Sequence, residues 1–486
     1  MAYVSKNFAN IILVFNNLRP PLFLIQQKNY IIRCSKYLTK FFAVKYLNLG
    51  FNFNQNMNPH KKGWLTVYYK SFQTNLEKRQ DLLQEMQNIL HSPVDEQFLY
   101  QRTQPTGLLY GHPLSFPFYE KKKQFNWDEK AKMKVLLLES FVLSSMFYQK
   151  GDLDVGAYAD NWTDYVHDAI AKLKDFYQEY CPILMFASPK YLFEKPDIVT
   201  SEYIFNQRVN IKNNNSYWSS FFHNSLLYLD VLYFGKWNNL KQYGGNELSL
   251  QEEKRNVRFY ILKVMAAAAN ANKIIDKQEK QIFEYFLHSA HLEPEKEAEA
   301  REYLNDGLQI DHIEPLQTEF WILKKYILEL ALLTLWSDKE IDEMEHEFIQ
   351  KLGDKLGFDQ AELQSSMVAI ESFVLAHWEN VHFLQNKHSF HLVKNRFIKH
   401  VGSLIEINKD RIVQEARESK ELMYLLSQSR KRELSLIEKQ KIKIQMLDIL
   451  KTIPTFVIIA LPFTFITLPL MIKLLPKSAF PTAWHD

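Results

Sequence analysis

The side chains best placed to do chemistry in this sequence occur twice. Asn272, Asp276 and Glu279 return as Asp338, Asp342 and Glu345, 66 residues later, in Asn272-Lys-Ile-Ile-Asp-Lys-Gln-Glu279 and Asp338-Lys-Glu-Ile-Asp-Glu-Met-Glu345. Hard cations such as Ca²⁺ and Mg²⁺ bind several carboxylate or carbonyl oxygens, which two facing loops can supply. The same spacing has a local reading. Asp just before a helix with Glu three residues on is a capping-box pattern, and the carboxylate suits the helix dipole. The two readings are compatible, and no EF-hand loop is present.

A second group is histidine-rich: His377, His382, His388, His391 and His400. His388 and His391 are three residues apart and share a helix face, but no acid or cysteine completes a four-ligand set. Solvent-facing or ring-stacked histidines are the simpler reading. A third group is basic: Arg430, Lys431, Arg432, Lys439, Lys441, Lys443 and Lys451. Without interleaved stacking aromatics this is not a nucleic-acid site, and beside an apolar segment it anchors to anionic headgroups. Glycine-rich phosphate loops, G-x-S-x-G, HExxH and paired Cys/His motifs are all missing, so no enzyme is expected.

The elements that carry these groups read as helices. Each acidic copy follows an apolar helix (Tyr260–Ala271 and Phe320–Trp336) and runs into an amphipathic one (Ile282–His288 and Phe348–Leu356). Upstream, Leu76–Leu90, Asp128–Phe147 and a segment from Asp160 or Thr163 have helical spacing, and the aromatic stretch Tyr217–Trp237 should be buried. From about 373 to 450 the pattern is that of long, strongly charged helices.

The run Ile453–Ile472 holds 20 uncharged residues, 12 of them Leu, Ile, Phe or Val. At ~1.5 Å per residue it covers a ~30 Å hydrocarbon core, and its insertion is worth about −5 kcal/mol. Pro454, Pro462 and Pro469 would break a soluble core helix, whereas membrane helices tolerate proline when hydroxyls such as Thr464 and Thr467 re-satisfy the backbone. The preceding bases put the body on the cytoplasmic side.

Composition agrees with a helical fold. Thirteen glycines in 486 residues disfavour turn-rich β architectures. Two distant cysteines, Cys34 and Cys181, suggest no disulfide framework or zinc site. Residues 1–56 contain no Asp or Glu against five Lys and two Arg. They read as a targeting segment or as a leader upstream of a start at Met57, the second being favoured; such a start changes the net charge from +3 to −4 (3 minus 7).

Two resemblances sharpen this picture. The duplicated acidic segment over residues 251–372 resembles the TerB-like domain of tellurite-resistance and related stress proteins. Their Asp-Gly-x-Ile-Asp-x-x-Glu signature maps onto Asn272, Asp276 and Glu279, and onto Asp338, Asp342 and Glu345, with Lys273 and Lys339 in place of glycine. The C-terminal segment resembles the transmembrane portion of the LETM family through Pro454, the Pro462-Phe463 pair, Pro469 and Lys473. That family's acidic residue in mid-segment falls here at Phe465. The combination is similar to bacterial LETM-related proteins described as biofilm-associated.

The expected architecture is therefore all-α and multi-domain. It comprises an acid-free leader (1–56), a helical N-terminal domain (57–250), a TerB-like duplicated domain (251–372), charged helices with a basic juxtamembrane segment (373–450), and one C-terminal transmembrane helix with a short tail (451–486). The expected function is non-enzymatic. A domain that binds a divalent cation (Ca or Mg) or a protein partner is held at the cytoplasmic membrane, in stress or surface-attached growth, with the bilayer and protein partners or a homo-oligomer as its expected associations. The resemblance also carries an alternative, cation/proton transport or ribosome contact at the membrane. The absent intramembrane acid argues against transport.

Overall fold

In the computed structural model, residues 57–76, 96–119, 127–149, 162–180, 197–209, 224–244, 246–272, 275, 277–290, 292–335, 343–376, 378 and 390–451 are described. The chain divides into the units Met1–Met57 and Asn58–Asp486, and the second carries every described helix. Among the described residues all regular structure is helical.

The N-terminal part contains α1 (Trp64–Leu76), α2 (Glu96–Thr103), α3 (Glu129–Gln149), α4 (Trp162–Tyr180), α5 (Asp197–Arg208) and α6 (Leu227–Tyr243). α3 packs on α6 and α4, and α5 packs on α4 and α1. Their shared core is aromatic: Phe141, Phe176 and Phe234 meet edge to face with centroids 5.0–6.4 Å apart, a geometry that adds to simple burial. Asp128 accepts from the Ala131 amide at 2.8 Å, which is why α3 starts one residue later than its acid. The predicted burial of the Tyr217–Trp237 stretch is met over residues 224–235. Residues 77–90 of the expected helix Leu76–Leu90 lie outside the described residues.

Between α2 and α3 two short 3-10 turns, Gln104–Thr106 and Leu108–Tyr110, are joined by Gly107. Its φ is +81°, and a Cβ there would sit 2.0 Å from the His112 carbonyl oxygen, so only glycine fits. This tight turn directs Tyr110 inward.

The middle of the chain holds α7 (Glu247–Ala269), α8 (Lys277–Ala290), α9 (Pro294–Asp306), α10 (Trp321–Leu335), α11 (Glu343–Leu356) and α12 (Gln360–Ala376). α7 packs on α8 and α9, α10 on α11 and α12, and α7 on α10. The N-terminal part meets this region through α2 against α10 and α6 against α7.

The C-terminal stretch differs from expectation. In place of long charged helices it forms four shorter ones: α13 (Phe390–Ile407), α14 (Lys409–Glu418), α15 (Lys420–Lys431) and α16 (Leu436–Lys451). The chain breaks at Asn408, at Ser419, whose hydroxyl accepts from the Leu422 amide, and at residues 432–435. Ile412, Leu422, Leu426, Ile442 and Met446 are buried, and α14, α15 and α16 pack on one another. The charges cover the outside of a small bundle. Among the described residues no helix is long and apolar enough to cross a membrane. The run 453–472, with Pro454, Pro462, Phe463, Pro469 and Lys473, lies outside them, as does the leader 1–56.

Candidate functional site

The two acidic copies sit in matching frames. α7 and α10 end at Ala269 and Leu335, α8 and α11 run Lys277–Ala290 and Glu343–Leu356, and α9 and α12 begin at Pro294 and Gln360. Each pair is offset by 66 residues (335 − 269, 343 − 277, 360 − 294). Burial follows the same offset: Glu279 with Glu345, Ile282 with Phe348, Phe283 with Ile349, Phe286 with Leu352. The Thr334 hydroxyl meets the Met265 sulfur at 3.1 Å, so α7 and α10 touch near their C-terminal ends. Both acidic loops therefore leave from neighbouring helix ends, within about 6 Å of axial rise from that contact.

Glu279 and Glu345 are the third residues of α8 and α11 and are only 2% and 4% exposed. Glutamates this buried are uncommon unless they hold a partner, and both of these do. Glu279 and Glu345 each occupy the third position of their helix, where the glutamate of a capping box stands. Asn272 is half-buried and engaged in contacts of its own. Asp276, Asp338 and Asp342 lie outside the described residues. Among the described residues no three His, Cys, Asp or Glu side chains converge on one point.

The histidines separate. His377, His382 and His388 lie outside the described residues, and His391 is exposed. His400 joins α13 to α12, its Nδ1 lying 2.9 Å from both oxygens of Glu371. Burial raises the Glu371 carboxyl, an effect His400 and Arg396 partly offset.

The basic stretch is partly neutralised. Arg432 pairs with Glu438, Lys439 with Glu433 at 3.1 Å, and Lys441 with Glu421 at 2.8 Å. Lys431 is exposed and Lys443 is half-buried. Arg430 lies in the last turn of α15 and Lys451 ends α16; their side chains are not described.

Besides Glu202, which accepts from the Gly63 and Leu65 amides, sequence reasoning missed four buried acids. Asp230 on α6 takes Arg208, Lys254 at 3.1 Å and Arg258 at 3.7 Å, together with the Tyr177 hydroxyl. Burial alone would raise its carboxyl, but the three cations outweigh it and hold it well below the usual range. Glu329 on α10 accepts from the hydroxyls of Tyr100 and Tyr110 and lies 3.4 Å from Ser366. Burial raises it against the pull of Lys325. Glu371 is the third. The fourth, Glu139 on α3, accepts from the Tyr68 hydroxyl at 2.9 Å and the amides of Phe118 and Tyr119 at 2.7 and 3.1 Å. One signal could have found all four: each is a lone acid inside an otherwise apolar helical run.

Burial lifts the Glu139 carboxyl to about 7, the three hydrogen bonds opposing it. The native state therefore holds a proton that the unfolded chain releases above about 4.3. Stability from this group is complete below that point and is lost as pH rises through about 7. Glu139→Gln should flatten the pH dependence of unfolding between pH 5 and 8 by about 3 kcal/mol. Equal slopes for the two proteins in urea titrations would contradict this.

A groove of about 630 Å³ runs along α7 beside residues 313–320. Glu252, Glu314 and Glu319 are exposed along it. Lys236 lies 3.3 Å from the centroid of the Phe320 ring and 3.8 Å from Glu253. No protein-family model, curated protein or solved structure matches this chain.

Proposed function

We propose that this all-helical chain is a non-enzymatic, membrane-anchored protein whose middle region is a TerB-like duplicated domain binding a divalent cation or a partner. Its C-terminal LETM-like run, 453–472, would hold that domain at the cytoplasmic membrane, with the bases of residues 430–451 at the headgroups. The observation that carries the reading is the coincidence of three pairs of helix boundaries at one 66-residue offset, with Glu279 and Glu345 buried at the equivalent place. An offset kept through helix ends and burial alike is what a duplicated unit produces. The contact between the C-terminal ends of α7 and α10 supports this reading, since a shared Ca²⁺ or Mg²⁺ would need the two acidic loops close together.

Calorimetric titration of the detergent-solubilised chain with Ca²⁺, Mg²⁺ and Mn²⁺, beside an Asp276→Ala, Asp342→Ala variant, tests the cation arm. Saturable heat that vanishes in the variant is the expected result. A silent wild type, with the variant merely less stable by about 1 kcal/mol per lost cap, would reduce the acids to helix caps. Membrane attachment is tested separately, by whether deleting 453–486 releases the body from vesicles. Loss of cation flux in the same vesicles would favour the transport alternative.

A further inference from the structure

α16 is apolar on two opposite sides. Ile442, Met446 and Ile449, spaced four and three residues apart, face the bundle and are buried. Ile437 and Ile444, seven residues apart on the other side, are 70% and 50% exposed, and Leu436 beside them is 84% exposed. A surface helix ordinarily carries one apolar stripe, turned to the core; a second stripe turned outward marks a second apolar partner. The neighbouring α15 adds an aromatic ring. Its Glu421 meets Lys441 at 2.8 Å and Gln445 at 2.6 Å, and Tyr424, three residues further along the same flank, is 59% exposed.

Two observations say what covers this face. The first is charge. Across α15 and α16, residues 420–451, eight Lys or Arg stand against four acids, a net charge of +4 (8 minus 4). On the helix, Lys441 and Lys443 flank the outward stripe on its two sides. A second copy of the chain would set these lysines against their own kind, whereas anionic headgroups complement them. The second is position. α16 ends at Lys451, and the uncharged run 453–472 begins two residues later, so an apolar medium that takes up the run also lies beside α16. A proline at 454 disfavours one straight helix through both, so α16 can lie along a surface that the run enters.

We infer that α16 is an interfacial helix that lies in the plane of an anionic bilayer. Leu436, Ile437 and Ile444 enter the acyl boundary, Lys441 and Lys443 meet the phosphates, and Tyr424 sits at headgroup level. This deepens the membrane part of the proposed function and rests on it only for bringing α16 to a bilayer. A single span leaves the body free to swivel about the membrane normal and to tilt. A second, in-plane element removes that freedom and fixes which side of the helical body faces the lipid.

The test is nitroxide depth measurement on the full-length chain carrying Cys34→Ser and Cys181→Ser, reconstituted in vesicles of equimolar phosphatidylglycerol and phosphatidylcholine. Single labels go on Ile437→Cys, Ile444→Cys, Ala460→Cys within the run, and Glu347→Cys, an exposed position on α11. Collisions with oxygen and with a nickel chelate should place the Ile437→Cys and Ile444→Cys labels about 5–10 Å below the phosphates, with Glu347→Cys in water. A label at Gln440→Cys should be equally deep. It should return to water when Leu436→Ser, Ile437→Ser and Ile444→Ser are added, at an unchanged unfolding midpoint because all three side chains are exposed. Aqueous Ile437→Cys and Ile444→Cys labels beside a deep Ala460→Cys label would overturn the inference and leave the membrane anchor standing. The reverse pattern would remove the anchor and keep the inference, and labels that are all aqueous would remove both. Spin–spin broadening at Ile437→Cys that vanishes on dilution with unlabelled chain would give the face to a second copy and overturn the inference as well.

Discussion

Asp230→Asn is expected to destabilise the protein by about 3–5 kcal/mol, the cost of leaving buried charges without their counter-ion. The substitution keeps shape and volume and removes only the charge. Lys254 and Arg258 are buried and Arg208 shows only 9% of its side chain, and Lys254 is boxed by the rings of Phe176 and Tyr180, each centroid 5.1 Å from its Nζ. Those rings attract the cation but do not replace a full negative charge. Because Asp230 is held low, its contribution is complete above the ordinary carboxylate range and is lost as pH falls through the depressed value. Urea denaturation at pH 7 measures the loss. Adding Lys254→Met should recover part of it, since the double variant has less unpaired charge, and strict additivity would argue against a shared cluster.

Glu329→Leu should cost about 3 kcal/mol, arising from two orphaned buried hydroxyls, Tyr100 and Tyr110, at about 1–3 kcal/mol each. The network joins α2 and the Gly107 turn to α10, so its loss should loosen that junction before the rest. Amide exchange should accelerate first over residues 96–110. The combination Tyr100→Phe, Tyr110→Phe, Glu329→Leu should regain part of the stability, because it removes both hydroxyls along with their acceptor, although the Gln104 amide and the Ser366 hydroxyl then lose their acceptors. A triple variant as weak as the single one would place the cost in packing instead.

The sequence was enough to establish what depends on local chemistry. Scarce glycine and apolar residues at helical spacing determined an all-helical fold, because that periodicity alone decides which face can be buried. The motif Asn272-x-x-x-Asp276-x-x-Glu279 recurs as Asp338-x-x-x-Asp342-x-x-Glu345, and the same 66-residue spacing reappears in the helix ends. Only the tertiary structure decided the partnerships. Asp230 finds its cations 22, 24 and 28 residues away, and Tyr100 reaches Glu329 across 229. No periodicity encodes such distances, because they depend on which helices the core brings together. Folding also turned the charged stretch 409–451 into a bundle that pairs several of its own charges. It made the two halves unequal as well. Their α7 and α10 faces are alike in position, but one is covered by the N-terminal part of the chain and the other forms a groove. Which copy is covered depends on where the rest of the chain packs, and a repeat in sequence carries no record of that.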